Sequence, residues 1–242
     1  RAELQSRTFR VEAEKIDGLV DLVGELVTSG AEIGQLAGIL KSELLAEAGH
    51  RLARTIAEIR DRSLRLRMVP MEMLFSRLRR TVHDTAQTLG KRIHFKTRGG
   101  ETEFDRTLVE RVTDPLMHIV RNAVDHAIED EMERATAGKK AEGLLEVAAY
   151  NEGGDVVIEI RDDGRGLSRD KILARAVSKG LLQKGAVPSD EDILNLIFAP
   201  GFSTAQTVTQ ISGRGVGLDV ARRNIESLGG TVEVSTDAGA GS

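Results

Sequence analysis

The chain has 242 residues, 40% hydrophobic and 30% charged, with a formal net charge of -4, so it can bury a sizeable core and its length favours two domains. The mild, interspersed charge argues against nucleic acid as a partner, and the lack of cysteine excludes disulfides and thiolate metal sites. No apolar run approaches the roughly 20 residues of a membrane span and no signal peptide is visible, so no membrane insertion is expected and a cytoplasmic location is the default.

From about Phe9 to Leu40 the spacing predicts one long helix. Ile16, Leu19, Val20, Val23, Leu26 and Val27 recur at intervals of three and four. The stripe is wide, as if it covered both a partner helix and a second molecule. Gly30, Gly34 and Gly38 share one face. Each costs about 1 kcal/mol relative to Ala inside a helix. Either a neighbouring helix approaches closely there, or the helix bends or frays. A second helix is predicted from Ser42 to about Arg67, with Leu45, Leu52, Ile56 and Ile59 facing inward. Two helices on a short connection form an antiparallel hairpin. A lone hairpin cannot bury both faces, so a four-helix bundle in a homodimer is expected. Pro70 then disfavours helix in the residue before it and marks a boundary. The expected domains are therefore 1–68, the dimerising hairpin, and 69–242.

Beyond Pro70 helices and strands alternate. Glu72 to Leu89 is predicted helical, stopping at Gly90. A strand follows from Arg92 to Thr97, and a long helix from Arg106 to Glu129. Strands Leu144 to Tyr150 and Val156 to Arg161 flank a Gly- and Asn-containing turn. Ser168 is the expected N-cap of a helix reaching Ser178. Further helices are predicted over Ser189 to Phe198 and Val216 to Leu228, and a strand over Thr231 to Ser235. The fold class is α+β: the hairpin, then an α/β sandwich with a mixed sheet and helices on one face.

Three polar blocks carry the chemistry. In the first, His118, Asn122 and Asp125 lie at i, i+4 and i+7 on one helix face, flanked by Arg121 and His126. The amide oxygen of Asn122 is a hard neutral ligand suited to Mg²⁺, which prefers few protein ligands, several waters and substrate phosphates. A solvated helix face reads equally well if this block is taken alone. In the second, Asp162 ends a strand and Gly164 and Gly166 follow. A carboxylate there accepts from an exocyclic amine such as that of adenine, and the glycines allow a flat ring to approach. Asp-Gly is also an ordinary turn. In the third, Gly213, Gly215 and Gly217 alternate before a helix, with Arg214 and Val216 between them. Backbone amides at such a helix start bind phosphates. No strand precedes this block as a dinucleotide fold requires, and no Gly-Lys-Ser/Thr ending marks a P-loop.

The order of these blocks resembles the ATP-binding fold shared by histidine kinases, DNA gyrase, the Hsp90 chaperone and MutL. Leu66-Arg67-Met68-Val69-Pro70, Val120-Arg121-Asn122, Pro200-Gly201-Phe202-Ser203-Thr204 and Ser212-Gly213-Arg214-Gly215-Val216-Gly217 resemble the chemotaxis histidine kinases of the CheA family more closely. The resemblance spans nearly the whole chain. It implies a kinase that binds ATP and Mg²⁺ as a homodimer. Asn122 would hold Mg²⁺, and Asp162, Gly164 and Gly166 the adenine. Arg121, Asp125, His126, Ser203, Thr204, Gly213, Arg214, Gly215, Val216 and Gly217 would lie around the phosphates. His118 stands where hydrolysing members carry a Glu that activates water, which favours phosphoryl transfer. The role expected of His118 is to orient or deprotonate an attacking imidazole. The acceptor His would lie on a separate phosphotransfer domain outside this chain. Response regulators, a coupling adaptor and chemoreceptors would be reached indirectly, through a further domain also outside it. His83-Asp84-x-x-x-Thr88 imitates an acceptor box but falls past the hairpin, and it reads as an exposed helix surface. Alternative readings are a dimerisation-gated ATPase of the same fold and a non-catalytic signalling scaffold. A chain opening on Arg1 rather than Met is expected to be a piece of a longer one, and the family continues into a further strand and a regulatory domain.

Overall fold

The three-and-four spacing of the first apolar stripe becomes helix α1, Ala13–Leu40, and the second becomes α2, Glu43–Leu66. In this computed structural model the described residues are 11–183, 188–200, 202 and 218–242. The chain divides into two compact units, Arg1–Val69 and Pro70–Ser242.

In the first unit two residues link the helices. Lys41 is left-handed at φ 48°, and its N–H and that of Ser42 close on the carbonyls of Gly38 and Ala37. Ser42 then caps α2, its hydroxyl accepting from the Leu45 N–H. The seam is narrow, with Val23, Ala37 and Ile56 buried. Of the three glycines on one face of α1, close approach holds at Gly30 alone. A Cβ there would stand 3.1 Å from Ile56 Cδ1, whereas at Gly34 and Gly38 it would meet nothing within 4 Å. Leu52 and Ile59, expected inward, are 38% and 39% exposed. Two helices meeting along one line cannot cover a stripe this wide, so Ile56 takes the seam and its neighbours one turn away fall outside it. Leu22, Leu26, Ile39 and Leu44 also remain exposed.

A short strand, β1 (Met68–Pro70), spans the division. In the second unit α3, Glu72–Leu89, buries Leu74, Phe75, Leu78, Val82 and Ala86 and ends at Gly90 with φ 65°, as its spacing and glycine predict. Strand β2, Ile93–Arg98, lies one residue later than predicted, and a short β3, Glu103–Asp105, follows. Strands β4, Gly143–Glu152, and β5, Asp155–Asp162, complete a mixed sheet of order β2-β4-β5. Strand β2 runs parallel to β4, with Ile93 opposite Gly143, and β4 runs antiparallel to β5, with Leu145 opposite Asp162. Gly153 and Gly154, at φ 61° and 96°, make the two-residue hairpin turn that needs positive φ.

Helix α4, Arg106–Asn122, is capped by Asp105, whose carboxylate accepts from the Thr107 and Leu108 N–H groups. Its stripe Val109, Val112, Leu116 and Val120 is buried, and α4 packs beside α3. The helix predicted to run to Glu129 stops being α-helical at Asn122. Ala123–Ala127 is a π-turn, closed by the Ile128 N–H on the Ala123 carbonyl at 2.9 Å. The turn meets a residue remote in sequence: the Lys91 ammonium donates to the carbonyls of Val124, Asp125 and Ile128 at 2.9, 2.7 and 2.7 Å.

Helix α5, Glu131–Thr136, precedes β4, and α6, Arg169–Ser178, starts at the N-cap Ser168. Helix α7, Asp190–Asn195, opens on a capping box between Ser189 and Asp192 and continues as a 3₁₀ turn, Leu196–Phe198. Ile172, Ala176, Ile193, Leu194 and Phe202 form a satellite core. Helix α8, Leu218–Glu226, packs on α4. Thr231–Ser235, predicted as a strand, alternates between exposed and half-buried residues but pairs in no ladder among the described residues. Val234 packs instead against the satellite core, and the chain ends in a tight turn with a bridge between Asp237 and Gly241.

Candidate functional site

Two helical turns of α4 display the first block. The side-chain amide nitrogen of Asn122 donates to His118 Nε2 at 3.0 Å. That bond needs an imidazole unprotonated at Nε2. Burial first, then the Arg121 charge, pushes His118 below the usual histidine range, and His126 adds to this while Asp219 opposes it. With its nitrogen committed to His118, the Asn122 amide turns its oxygen to the other side, free of that bond. A neutral amide oxygen of this kind suits the sparse protein coordination that Mg²⁺ prefers. No cluster of three or more His, Cys, Asp or Glu able to cage a metal occurs among the described residues. A metal at Asn122 would therefore need further oxygens from a bound ligand or water.

The π-turn changes the expected face. One turn beyond Asn122 now takes more residues than in an α-helix, so His126 stays near the Asn122 face and Asp125 rotates off it. Accordingly His126 bears on the His118 charge, while Asp125 bears on Lys91. Asp125 and His126 are both exposed, 3.6 Å apart. The reading that places His118, Asn122 and Asp125 on one face holds for the first two. Asp219, at the start of α8 and electrostatically coupled to His118, was not foreseen.

The second block sits at the end of β5. Asp162 is 7% exposed and its Oδ1 accepts from the Gly164 N–H at 2.8 Å. Burial raises this carboxyl, and hydrogen bonds from the backbone of Gly164 and Ser242 offset the rise in part. It is a desolvated acceptor at a strand end, suited to an exocyclic amine. Gly164 has no room for a side chain against the carbonyl of Ala127, and Gly166, at φ 67°, packs on Thr236 and Asp237 of the C-terminal turn.

Behind this loop lies a charge cluster that reads in sequence as ordinary solvated residues. Arg134 is 1% exposed. It forks onto Asp163 at 3.0 and 2.7 Å, reaches Glu129 at 3.2 Å and donates to the carbonyls of Lys140 and Glu142. Lys139 donates to Glu129 and to the carbonyls of Asp163 and Gly164 at 2.7–2.8 Å. Burial alone would lift Glu129. The Lys139 hydrogen bond, with the backbone and the two cations, holds it below the usual carboxylate range.

Ser203, Thr204, Gly213, Arg214, Gly215, Val216 and Gly217 lie outside the described residues. Of the remaining histidines, His83 is exposed and stands 3.4 Å from Asp84, and His50 and His94 are exposed on α2 and β2.

Residues 111–242 match the family described as histidine kinase-, DNA gyrase B-, and HSP90-like ATPase. The chain belongs to this family. Residues 6–73 match the signal transducing histidine kinase homodimeric domain. Chemotaxis protein CheA of Klebsiella aerogenes is 45% identical over 240 residues, 98% of this chain and 37% of that protein. The CheA proteins of Salmonella typhimurium and Bacillus subtilis are 44% and 42% identical, over 99% and 98% of this chain and 36% of each relative. The chain thus spans little more than a third of the relatives it matches. Among the described residues no helix is long and apolar enough to cross a membrane.

Proposed function

We propose that this chain binds Mg-ATP and transfers the γ-phosphoryl to a histidine on a separate phosphotransfer domain, acting as a homodimer in chemotaxis-type two-component signalling in the cytoplasm. The observation that carries the reading is the His118–Asn122 pair. An amide oxygen is left for the metal, and a neutral imidazole stands where a hydrolysing relative would carry a water-activating Glu. Family membership and the CheA relatives support the assignment.

In this reading residues 1–68 form the dimerising hairpin and 69–242 the catalytic domain. The homodimeric-domain match and the exposed leucines of α1 and α2 support the dimer. Asp162 takes the adenine amine, Gly164 admits the ring, and Arg121 and His126 face the phosphates with the glycines and hydroxyls of 203–217. Asp125 contributes from the turn's outer side. Mg²⁺ held by the Asn122 oxygen would neutralise charge on the transferring phosphoryl group. Because Nε2 already accepts from Asn122, the geometry favours His118 as a group that orients its partners over one that takes a proton directly. Response regulators, the coupling adaptor and chemoreceptors are partners of the longer protein.

The test mixes the chain with labelled ATP, Mg²⁺ and candidate phosphotransfer domains. Label on the added domain is expected, and none on this chain. Hydrolysis without transfer would favour a dimerisation-gated ATPase, and no nucleotide binding would leave only a scaffold. Label on the chain itself that is lost in His83→Ala would overturn the assignment of an external acceptor.

A further inference from the structure

We infer that Lys91 is a positioning residue for the metal–phosphate end of the site, setting the π-turn that follows Asn122; this rests on the nucleotide reading above. A single ammonium has three hydrogens. In this structure it meets three backbone carbonyls, those of Val124, Asp125 and Ile128, all within 2.9 Å. Its donor capacity is fully used by the turn. Lys91 itself is fixed by the end of α3, its own N–H closing on the Ala86 carbonyl beyond Gly90. The clamp therefore ties the turn to a helix that carries none of the expected ligand contacts. Burial lowers Lys91 from its usual range while Asp125 opposes the drop, as expected of a cation held for its hydrogen bonds.

The consequence follows from helix geometry. A π-turn is costly and persists where surrounding groups hold it. Without the clamp, Ala123–Ala127 gains by returning to the i→i+4 ladder. The return would rotate His126 and Asp125 about the axis relative to Asn122 and pull Ile128 away from Gly143, whose missing side chain leaves room for it. His126 would stay on the Asn122 side but change its height and azimuth there, so the spacing between the two side chains would shift. The base end touches the turn through Ala127 but has a second anchor of its own: the Asp163 and Gly164 carbonyls are held by Lys139. Loss of Lys91 thus acts on the metal-dependent part of binding more than on the adenine part.

The experiment compares Lys91→Met with Lys91→Arg and measures ADP affinity in EDTA and in excess Mg²⁺ by calorimetry. In Lys91→Met the EDTA affinity is expected within about threefold of the parent, and the Mg²⁺-dependent gain at least about tenfold smaller. Lys91→Arg, which keeps charge and donors, is expected to restore most of the gain. An unchanged Mg²⁺ gain in folded Lys91→Met, or an equal loss with and without metal, overturns the inference. Should Lys91→Met lose its circular-dichroism signature, Lys91→Gln decides by the same two readings, since its amide can serve at most two of the three carbonyls. A parent chain that binds no ADP under either condition would sink the nucleotide reading itself, and this inference with it.

Discussion

Gly164 lies so close to the carbonyl of Ala127 that no Cβ fits between them, and the next residue, Arg165, donates its backbone N–H to that same carbonyl at 2.9 Å. The loop of the second block therefore rests on the last residue of the π-turn. The obstacle is backbone and cannot swing aside. Gly164→Ala is expected to destabilise the second unit by about 1–3 kcal/mol and to weaken adenine-nucleotide binding at least about tenfold. Urea unfolding and calorimetric titration measure the two effects. Wild-type stability in Gly164→Ala would contradict the packing described here.

Asp162 separates stability from binding. Its folded carboxyl is raised by burial, so the folded state takes up this proton more readily than the unfolded chain. The sign follows: its contribution is fully present below the unfolded pKa of about 4 and lost as pH rises through the higher folded value. At neutral pH the buried charge is a burden. Asp162→Asn is expected to melt at or above the parent temperature without ligand, yet to lose at least about tenfold in adenine-nucleotide affinity. Thermal melts with and without ATP check both halves. A lower ligand-free melting temperature would count against the burial argument.

His118 is lowered, so the folded site resists a proton that the unfolded chain accepts near pH 6.5. Its contribution is present above that unfolded value and is lost as pH falls through the lower folded one. Phosphoryl transfer by the parent is expected to persist below pH 6.5 before its acid limb sets in. His118→Gln is expected to lower transfer at least about a hundredfold while changing ATP affinity less than about threefold. A pH–rate profile and a binding titration supply the readings. Intact transfer in His118→Gln would remove the residue from the mechanism.

The exposed apolar face of the hairpin gives a fourth expectation. Leu22 is 59% exposed in the single chain, a position that costs nothing to charge unless a second copy covers it. Leu22→Glu is expected to shift the chain from dimer to monomer in sedimentation equilibrium, with helix content retained. An unchanged dimer would move the interface elsewhere.

What the sequence reveals and what it hides follows from the range of each cause. The cap at Gly90, the Ser168 N-cap and the Gly153–Gly154 turn are local, and each is legible from a few residues. The π-turn is not, because its clamp lies 33 to 37 residues upstream. Arg134 and Lys139 stand among charges that look solvated, and only the fold turns them inward onto Glu129 and Asp163. Thr231–Ser235 shows the alternation of a strand, but alternation reports which side chains are covered and not a neighbour to pair with. Leu52 and Ile59 carry the right period for a buried face, while the width of the seam decides which members of that face are covered. The pairing of His118 with Asn122 was legible from their i, i+4 spacing, and Asp219 was not, since it reaches the site from another helix.

The connection between α1 and α2 has a mechanical consequence. Only Lys41 and Ser42 separate the helices, both are tied back to the last turn of α1, and the Ser42 hydroxyl pins the first turn of α2. No slack exists at this end to absorb motion. A push or twist applied to one helix is carried around the corner to the other, and the hairpin moves as a stiff lever, with its play confined to the open end.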